Sequence, residues 1–218
     1  YNINVNQENN RNFLDKWYLS PVREEIEFLV RELNNISDKD TKRIIAIIIS
    51  RTVRSCRATT HADLGTLKEP VTTTYYCKKH GKICKPLFSI KGWWERYTLD
   101  TLKRLTQFDR LRTDTYQVCL TGDSRNIDIT SKVVNKIPLF GDLLVKNKIK
   151  GIFSSPPYVG LIDYHEQHAY SYELFGIKRK DELEIGPLSR GQGKIARDSY
   201  VKDIAECLKN CKKYFKED

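Results

Sequence analysis

The sequence predicts an α/β protein whose chemistry lies at the edge of a parallel sheet. Residues 116–120 are strand-like and stop at the polar turn of residues 122–124. Residues 149–153 form a second strand-like run, which stops at the proline-rich turn of residues 154–158, and a helical stretch to Phe175 follows. Strands and helices that alternate in this order are typical of a parallel sheet. Ligands bind beyond the carboxyl ends of such strands, where both polar turns lie.

The segment before this region is predicted to be helical. Ser20 and Pro21, followed by glutamates, form a helix start with a capping residue, a proline in the first turn and early acidic side chains. A second helix is predicted from Asp40 through an isoleucine run to about Cys56. Both segments place apolar residues on one helical face, as a helix that packs on a core requires.

Three parts are expected along the chain. Residues 1–56 form the helical N-terminal part, and residues 57–97 form a basic insert that is the candidate for target recognition or zinc binding. Residues 98–218 form the catalytic α/β part with its proline-rich turn. This last part begins with a helix that is predicted to use three leucines for packing, namely Leu99, Leu102 and Leu105.

Composition restricts the classes of partner and location. The 218 residues suffice for one sizeable domain, and the 39% hydrophobic content is ordinary for a globular protein. No run approaches the roughly 20 apolar residues that span a bilayer, and the polar N-terminus lacks a signal-peptide core, so we expect a cytoplasmic protein with no membrane contact. The formal charge of +10 favours a polyanionic partner such as DNA or RNA. The sequence contains no methionine, which predicts either a piece of a longer protein or the omission of modified methionines.

The turn Ser155-Pro156-Pro157-Tyr158 carries the predicted chemistry. The exocyclic amine of cytosine or adenine is a poor nucleophile because its lone pair is delocalised into the ring, so an enzyme that methylates it needs acceptors for the amine hydrogens. The Ser155 hydroxyl and the Pro156 carbonyl are the candidates, since two prolines fix the backbone that presents them. Tyr158 offers a face for a base taken out of the duplex, and such stacking contributes roughly 1–3 kcal/mol per base. The alternative is a rigid turn without a chemical role.

Residues 152–176 resemble the catalytic region of amino-methyltransferases that modify DNA at cytosine N4 or adenine N6. In that family the tetrapeptide is (S/N/D)PP(Y/F) at the end of the fourth strand of a Rossmann-like sheet, and the serine form is typical of N4-cytosine enzymes. The resemblance implies S-adenosylmethionine as cofactor, double-stranded DNA as substrate and a restriction–modification role. It further implies that Asp123 hydrogen-bonds the adenine ring of the cofactor and that Ser124 and Ser155 lie beside it. The alternatives are N6-adenine methylation of DNA and N2-guanine methylation of RNA.

One feature of the family is not found in this sequence. The family binds the methionine part of the cofactor with a glycine-rich FxGxG loop, and the nearest match, residues 191–193, does not follow an apolar strand and is interpreted as an ordinary loop. The Rossmann-like methyltransferase sheet is therefore expected to be incomplete, and a second chain or a further segment is expected to supply the cofactor loop. A different class of function is a non-catalytic DNA-binding module that completes a partner.

Several polar residues are candidates for contacts with DNA. Arg51, Arg54 and Arg57 repeat every three residues on a helix, which is consistent with phosphate contacts and equally with a solvated face. Asp163 and Tyr164 follow the proline-rich turn and are predicted to touch the target nucleotide, although structural roles explain them equally well.

The basic insert contains residue types that bind zinc. Cys77, His80 and Cys84 are closely spaced, and a structural zinc site needs four nitrogen or sulfur ligands. Cys56 or His61 is the candidate for the fourth ligand. The alternative is a pair of reduced cysteines and a histidine on a basic surface loop.

Overall fold

The computed structural model describes residues 12–61 and 68–216. The chain divides into two compact units, one formed by Tyr1–Leu111 with Tyr164–Lys180 and the other by Arg112–Asp163 with Asp181–Asp218. The described helices and strands, in chain order, are α1 Asn12–Trp17, α2 Ser20–Asn34, α3 Lys39–Ser55, β1 Tyr75–Cys77, β2 Lys82–Cys84, α4 Lys91–Leu111, α5 Ile129–Lys136, α6 Pro138–Asn147, α7 Tyr164–Gln167, α8 Ala169–Phe175 and α9 Lys194–Lys212, with short 3₁₀ turns at Asp181–Leu183 and Leu188–Arg190. No helix in the described ranges has the length and apolar content needed to cross a membrane.

The core of the first unit lies where α2 and α3 pack against α1 and α8. The two N-terminal helices that the sequence predicts are confirmed, and Asp38 caps α3 by accepting a hydrogen bond of 2.7 Å from the Thr41 backbone N–H. Residues three or four positions apart face this core, namely Val22, Ile26, Val30 and Leu33 on α2 and Ala46, Ile49 and Val53 on α3. Burying each large aliphatic side chain stabilises the unit by about 1.5–3 kcal/mol.

A two-stranded antiparallel hairpin follows α3 in the same unit. Its strands β1 and β2 pair Tyr75 with Cys84 and Cys77 with Lys82. The turn between them closes through hydrogen bonds from the backbone N–H groups of His80 and Gly81 to the Cys77 carbonyl, 3.1 and 2.8 Å long. Gly81 has a positive φ of 63°, which residues other than glycine adopt only rarely. Residues 57–61 and 68–97 belong to the first unit together with residues 12–56.

Helix α4 differs from the sequence-based expectation. It begins at Lys91, seven residues before the predicted start, and the three leucines expected to pack are exposed: Leu99, Leu102 and Leu105. The helix contacts α3 through a different face. The Tyr97 hydroxyl on this face lies 2.7 Å from Ser55 Oγ. Asp100 and Thr101 on the same face accept hydrogen bonds from the Arg51 guanidinium. These polar contacts hold the helix together with Trp93 and Trp94, which pack against the core, and the prediction of a packed leucine face is wrong for the described part of the chain.

The second unit contains α5, α6 and α9. Asp128 caps α5 by accepting a hydrogen bond of 3.0 Å from the Ser131 backbone N–H. Asn210 of α9 is buried, and its Nδ2 donates to the carbonyls of Ser124 and Ile127 at 3.2 and 3.0 Å. These bonds fix the polar turn of residues 122–124 on the last helix.

The two strands predicted for the second unit are not regular strands in the described structure. Residues 116–120 have no strand assignment, and the second segment makes one isolated parallel bridge, between Ile149 and Phe215. A strand requires a hydrogen-bonded neighbour along its length, and the described residues supply none here. Ile152 and Phe153, expected to lie in a strand, are exposed. The structure is mixed helical with one small sheet, and the Rossmann-like sheet is not confirmed.

Candidate functional site

The proline-rich turn lies on the surface of the second unit. Ser155 and Pro156 are exposed, and Tyr158 has 61% of its surface exposed to solvent. Within the described residues, the Ser155 hydroxyl and the Pro156 carbonyl have no hydrogen-bond partner in the protein, so both are available to an external donor. The exposed phenol ring, the hydroxyl and the carbonyl are the three groups that the sequence predicts to hold a base.

The rear of this turn is fixed by contacts with residues 186–200. The Tyr200 hydroxyl donates a hydrogen bond of 2.8 Å to the Pro157 carbonyl, and the Gly160 N–H donates one of 2.9 Å to the Gly186 carbonyl. Gly160 has a φ of 63°, and a Cβ at this position would lie 2.3 Å from the Gly191 carbonyl oxygen. Only glycine fits here without strain. The turn is therefore anchored on one side and open on the other.

The residues that follow the turn have structural partners. Asp163 accepts hydrogen bonds from the backbone N–H and the hydroxyl of Ser189, at 3.1 and 3.3 Å. Tyr164 begins α7 in the first unit and is 37% exposed. Contacts from these two residues to a nucleotide remain predictions, and the structure adds a local folding role for Asp163.

The Asp123 carboxylate, predicted to bind the cofactor, is engaged by Arg125. The Arg125 Nε lies 2.9 and 3.1 Å from the two carboxylate oxygens, its Nη2 lies 2.8 Å from Oδ2, and its backbone N–H donates to Oδ1 at 3.0 Å. The guanidinium also donates to Asp203 of α9 at 3.0 Å. Hydrogen bonds from Arg125 lower the pKa of the Asp123 carboxyl, which stays ionised.

These contacts decide how well the residues present fit S-adenosylmethionine. A carboxylate has about four acceptor positions, and three N–H groups of Arg125 bond to Asp123, with the Nε–H shared between both oxygens. The adenine end of the cofactor would compete with Arg125 for Asp123, and a cofactor-binding role for Asp123 remains a prediction. Ser124 and Ser155 are exposed and fit a neighbouring ligand, and residues 191–193 form a loop after a 3₁₀ turn, as the sequence predicted.

The three predicted DNA-binding arginines line one cleft of the first unit, about 320 Å³ in volume, together with Ser55 and Tyr97. Arg54 is exposed. The Arg51 guanidinium lies over the Tyr97 ring at 4.4 Å and is bonded to α4 as described above. Arg57 is buried, and burial lowers the pKa of its guanidinium, which donates to the Arg54 carbonyl and to Gln167 Oε1 at 3.1 and 3.3 Å. Arg54 is the cleft residue best placed for a phosphate.

The predicted zinc ligands Cys77, His80 and Cys84 lie together at the hairpin, and His61 joins them. The other candidate for the fourth position, Cys56, is buried at the end of α3, and burial raises the pKa of its thiol to about 12. Cys56 is packed in the core of the first unit and is not part of the cluster.

Sequence reasoning missed Arg125, Asp203 and Tyr200. The spacing of Arg125, two residues after an aspartate in a turn, is a local signal that points to an ion pair. Asp203 and Tyr200 lie more than 40 residues from the groups that they contact, and no local pattern identifies such pairs.

An exposed Ser-Pro-Pro-Tyr turn that follows a polar aspartate turn in the same unit is the arrangement expected of a methyltransferase catalytic region. The chain is 48% identical over 206 residues to the Type II methyltransferase M.MjaII of Methanocaldococcus jannaschii. The match covers 94% of this chain and 39% of the relative, so the chain spans well under half of the relative's length. The similarity confirms the resemblance to a methyltransferase, whereas the target base and the methyl donor remain predictions.

Two further comparisons found no relative. No protein-family model matches the chain. No solved structure matches it.

Proposed function

We propose that this chain is the base-binding part of a DNA methyltransferase, which transfers a methyl group from S-adenosylmethionine to the exocyclic amine of a flipped base. Cytosine N4 is the favoured target, because the tetrapeptide begins with Ser155. The observation that carries the proposal is the proline-rich turn, which is anchored from behind and presents its polar groups and Tyr158 to solvent. The similarity to a Type II methyltransferase supports the same conclusion.

The two proline carbonyl groups of the turn have different roles, one in folding and one in the proposed reaction. Tyr200 holds the Pro157 carbonyl, which leaves the Pro156 carbonyl and the Ser155 hydroxyl to accept the two amine hydrogens of the target base. Acceptors on these hydrogens draw the amine nitrogen toward a pyramidal geometry and make its lone pair available. Tyr158 stacks on the flipped base and holds it in register with these acceptors. No covalent intermediate with the protein is required.

The cofactor site requires more than the groups described here. S-adenosylmethionine, when bound, supplies the electrophilic methyl group. In this chain Ser124 and Ser155 are exposed within the two turns, whereas the Asp123 carboxylate is bonded to Arg125. We propose that a second chain or a further segment carries the glycine-rich cofactor loop, in line with the 39% of the relative that this chain spans.

Double-stranded DNA is the proposed substrate. The formal charge of +10 favours a polyanion, and the cleft of the three arginines places exposed Arg54 where it can contact a phosphate. Mutation of a residue that contacts a phosphate weakens binding about equally for all sequences and reduces its dependence on salt.

A chimera tests the proposal. This chain replaces the matching region of M.MjaII, and the purified chimera is incubated with duplex DNA and S-adenosylmethionine carrying a labelled methyl group. We expect label in DNA and N4-methylcytosine in the digested product by mass spectrometry. Tyr158→Ala should lower kcat roughly 5- to 150-fold, because about 1–3 kcal/mol of base stacking is lost, with little change in the KM for the cofactor.

The matched control is Tyr158→Phe, which keeps the ring and should retain activity. Circular dichroism and calorimetric binding of S-adenosylmethionine establish that each chimera is folded and loaded. A folded, loaded chimera that transfers no methyl group contradicts the proposal and favours a DNA-binding module. N6-methyladenine as the sole product rejects cytosine as the target and retains the enzyme class.

A further inference from the structure

Four potential metal ligands meet at the hairpin of the first unit. The ligand atoms of His61, Cys77, His80 and Cys84 all lie within 4.8 Å of one another. The Cys77 Sγ is 3.5 Å from Nδ1 of His61 and 3.6 Å from Nδ1 of His80, and the Cys84 Sγ is 3.7 Å from the same nitrogen of His80. We propose that these four residues bind one structural Zn²⁺ ion.

Three of the six separations between ligand atoms match those of a tetrahedral zinc site. Zinc bonds of about 2.3 Å to sulfur and 2.0–2.1 Å to nitrogen, in a tetrahedron, place neighbouring ligand atoms about 3.3–3.8 Å apart. The three sulfur–nitrogen distances, from 3.5 to 3.7 Å, fall within this range. The Tyr75 hydroxyl lies 2.9 Å from Nδ1 of His61 and holds this ring toward the cluster, and a metal bound at Nδ1 takes the place of that hydrogen bond.

The hairpin register explains why three of the ligands converge. Cys77 pairs with Lys82, so Cys84, two residues further along β2, projects from the same face as Cys77. The tight turn, with Gly81 at positive φ, brings His80 back toward Cys77, and the His80 backbone N–H donates a hydrogen bond to the Cys77 carbonyl. His61 completes the set from the segment that follows α3.

The types of ligand atom in the cluster favour zinc as the metal and a structural role for it. Two thiolates and two imidazoles are the ligand types of structural zinc, whereas Mg²⁺ and Ca²⁺ prefer oxygen ligands. Each thiol releases its proton to solvent as its sulfur binds, so two thiolates balance the charge of the ion. Four protein ligands fill the tetrahedron and leave no open position for a substrate, which indicates a structural site.

The hairpin needs such a constraint. A two-stranded hairpin alone is marginally stable in water, and the face of this hairpin opposite the cluster carries exposed Tyr76 and Ile83. A bound zinc ion links both strands to His61, and so fixes the hairpin on the end of α3. Lys78, Lys79 and Lys82 lie on the same hairpin, so the metal also fixes the position of a basic surface.

Metal analysis of the purified 218-residue chain, prepared without an affinity tag that binds metals, tests the proposal. We expect about one zinc per chain, which strong chelation removes. Cobalt substituted for zinc should give the visible absorption of a tetrahedral site with thiolate ligands. Cys84→Ser should lower the bound zinc several-fold, and His61→Ala should do the same without altering either thiol.

The matched control is Cys119→Ser, which removes an exposed cysteine outside the cluster and should retain zinc. Circular dichroism must show that the helices of each variant remain folded, so that loss of metal is not loss of the fold. The proposal is overturned if the folded chain binds neither zinc nor cobalt. A disulfide between Cys77 and Cys84 under reducing purification, detected by mass spectrometry, overturns it equally.

Discussion

Replacing Arg125 with methionine tests how the aspartate turn is held in the second unit. The guanidinium bridges Asp123 of the turn and Asp203 of α9, and the three side chains are only 19%, 15% and 14% exposed, respectively. Methionine has a similar length and removes the charge and the donors. Two carboxylates that are mostly shielded from water would then lose their cation.

The magnitude follows from the burial of the network. Removing one partner of a fully buried ion pair costs about 3–5 kcal/mol, because the other charge stays buried without compensation. Here some water reaches all three groups, and the Arg125 backbone N–H still donates to Asp123, so we expect about 2–3 kcal/mol. A change of this size corresponds to roughly 30- to 150-fold faster hydrogen exchange, since 1.4 kcal/mol is a factor of about ten.

Hydrogen-exchange mass spectrometry at neutral pH measures this effect in peptides from α9 and from residues 122–128. The matched control is Arg104→Met, which breaks an ion pair with Asp100 on α4 in which the arginine is 71% exposed. Exposed pairs contribute little, so the control should change exchange in α4 by no more than about twofold. An Arg125→Met variant that exchanges like the wild type would refute the reasoning that this network holds the turn.

Three further predictions concern the same unit and the cofactor. Gly160→Ala should open the proline-rich turn, because Gly160 has a positive φ and the new Cβ would clash with the Gly191 carbonyl. Faster hydrogen exchange in residues 158–162 would show this opening. The control Gly92→Ala, whose Cβ would have no atom within 4 Å, should leave exchange in residues 158–162 unchanged. The stabilisation from the lowered pKa of Asp123 is present above about pH 4, where an unfolded aspartate is ionised, and is lost as the pH falls through the lowered value. Urea unfolding should therefore show a difference between wild type and Arg125→Met that shrinks as the pH falls below about 4, and a constant difference would implicate another group. The 218-residue chain alone should bind S-adenosylmethionine weakly in calorimetry, and tight binding would show that its cofactor site is complete.

The local features were predictable because their signals lie within one or two turns of chain. The courses of α2 and α3 follow from apolar residues at helical spacing, and Asp38 marks the start of α3. Ser20 was expected to cap α2, but it is the first residue of the helix, and Leu19 at the N-cap position makes no side-chain capping bond. The cluster of Cys77, His80 and Cys84 follows from close spacing in a short hairpin. The proline-rich turn was recognisable because two adjacent prolines fix their own backbone whatever surrounds them.

The expectations that differ from the structure depended on partners distant in sequence. A strand is defined by its neighbour, so apolar residues 116–120 and 149–153 indicate a strand only where a pairing segment exists. The leucines of α4 have helical spacing, but the helix packs through Tyr97, Asp100 and Thr101 because those groups meet partners on α3.

The sequence by itself determined α2 and α3, the proximity of Cys77, His80 and Cys84, and the Ser-Pro-Pro-Tyr turn, since each rests on patterns within a few turns of chain. Only the tertiary structure decided that His61 and not Cys56 joins the other three side chains at the hairpin, and that Arg125 engages Asp123. It also decided that Arg54 lies exposed on α3, whereas Arg57, expected on the same helix, lies beyond its end and is buried. The physical reason is that burial and pairing depend on which distant segments pack against a side chain, and this information is spread over the whole chain.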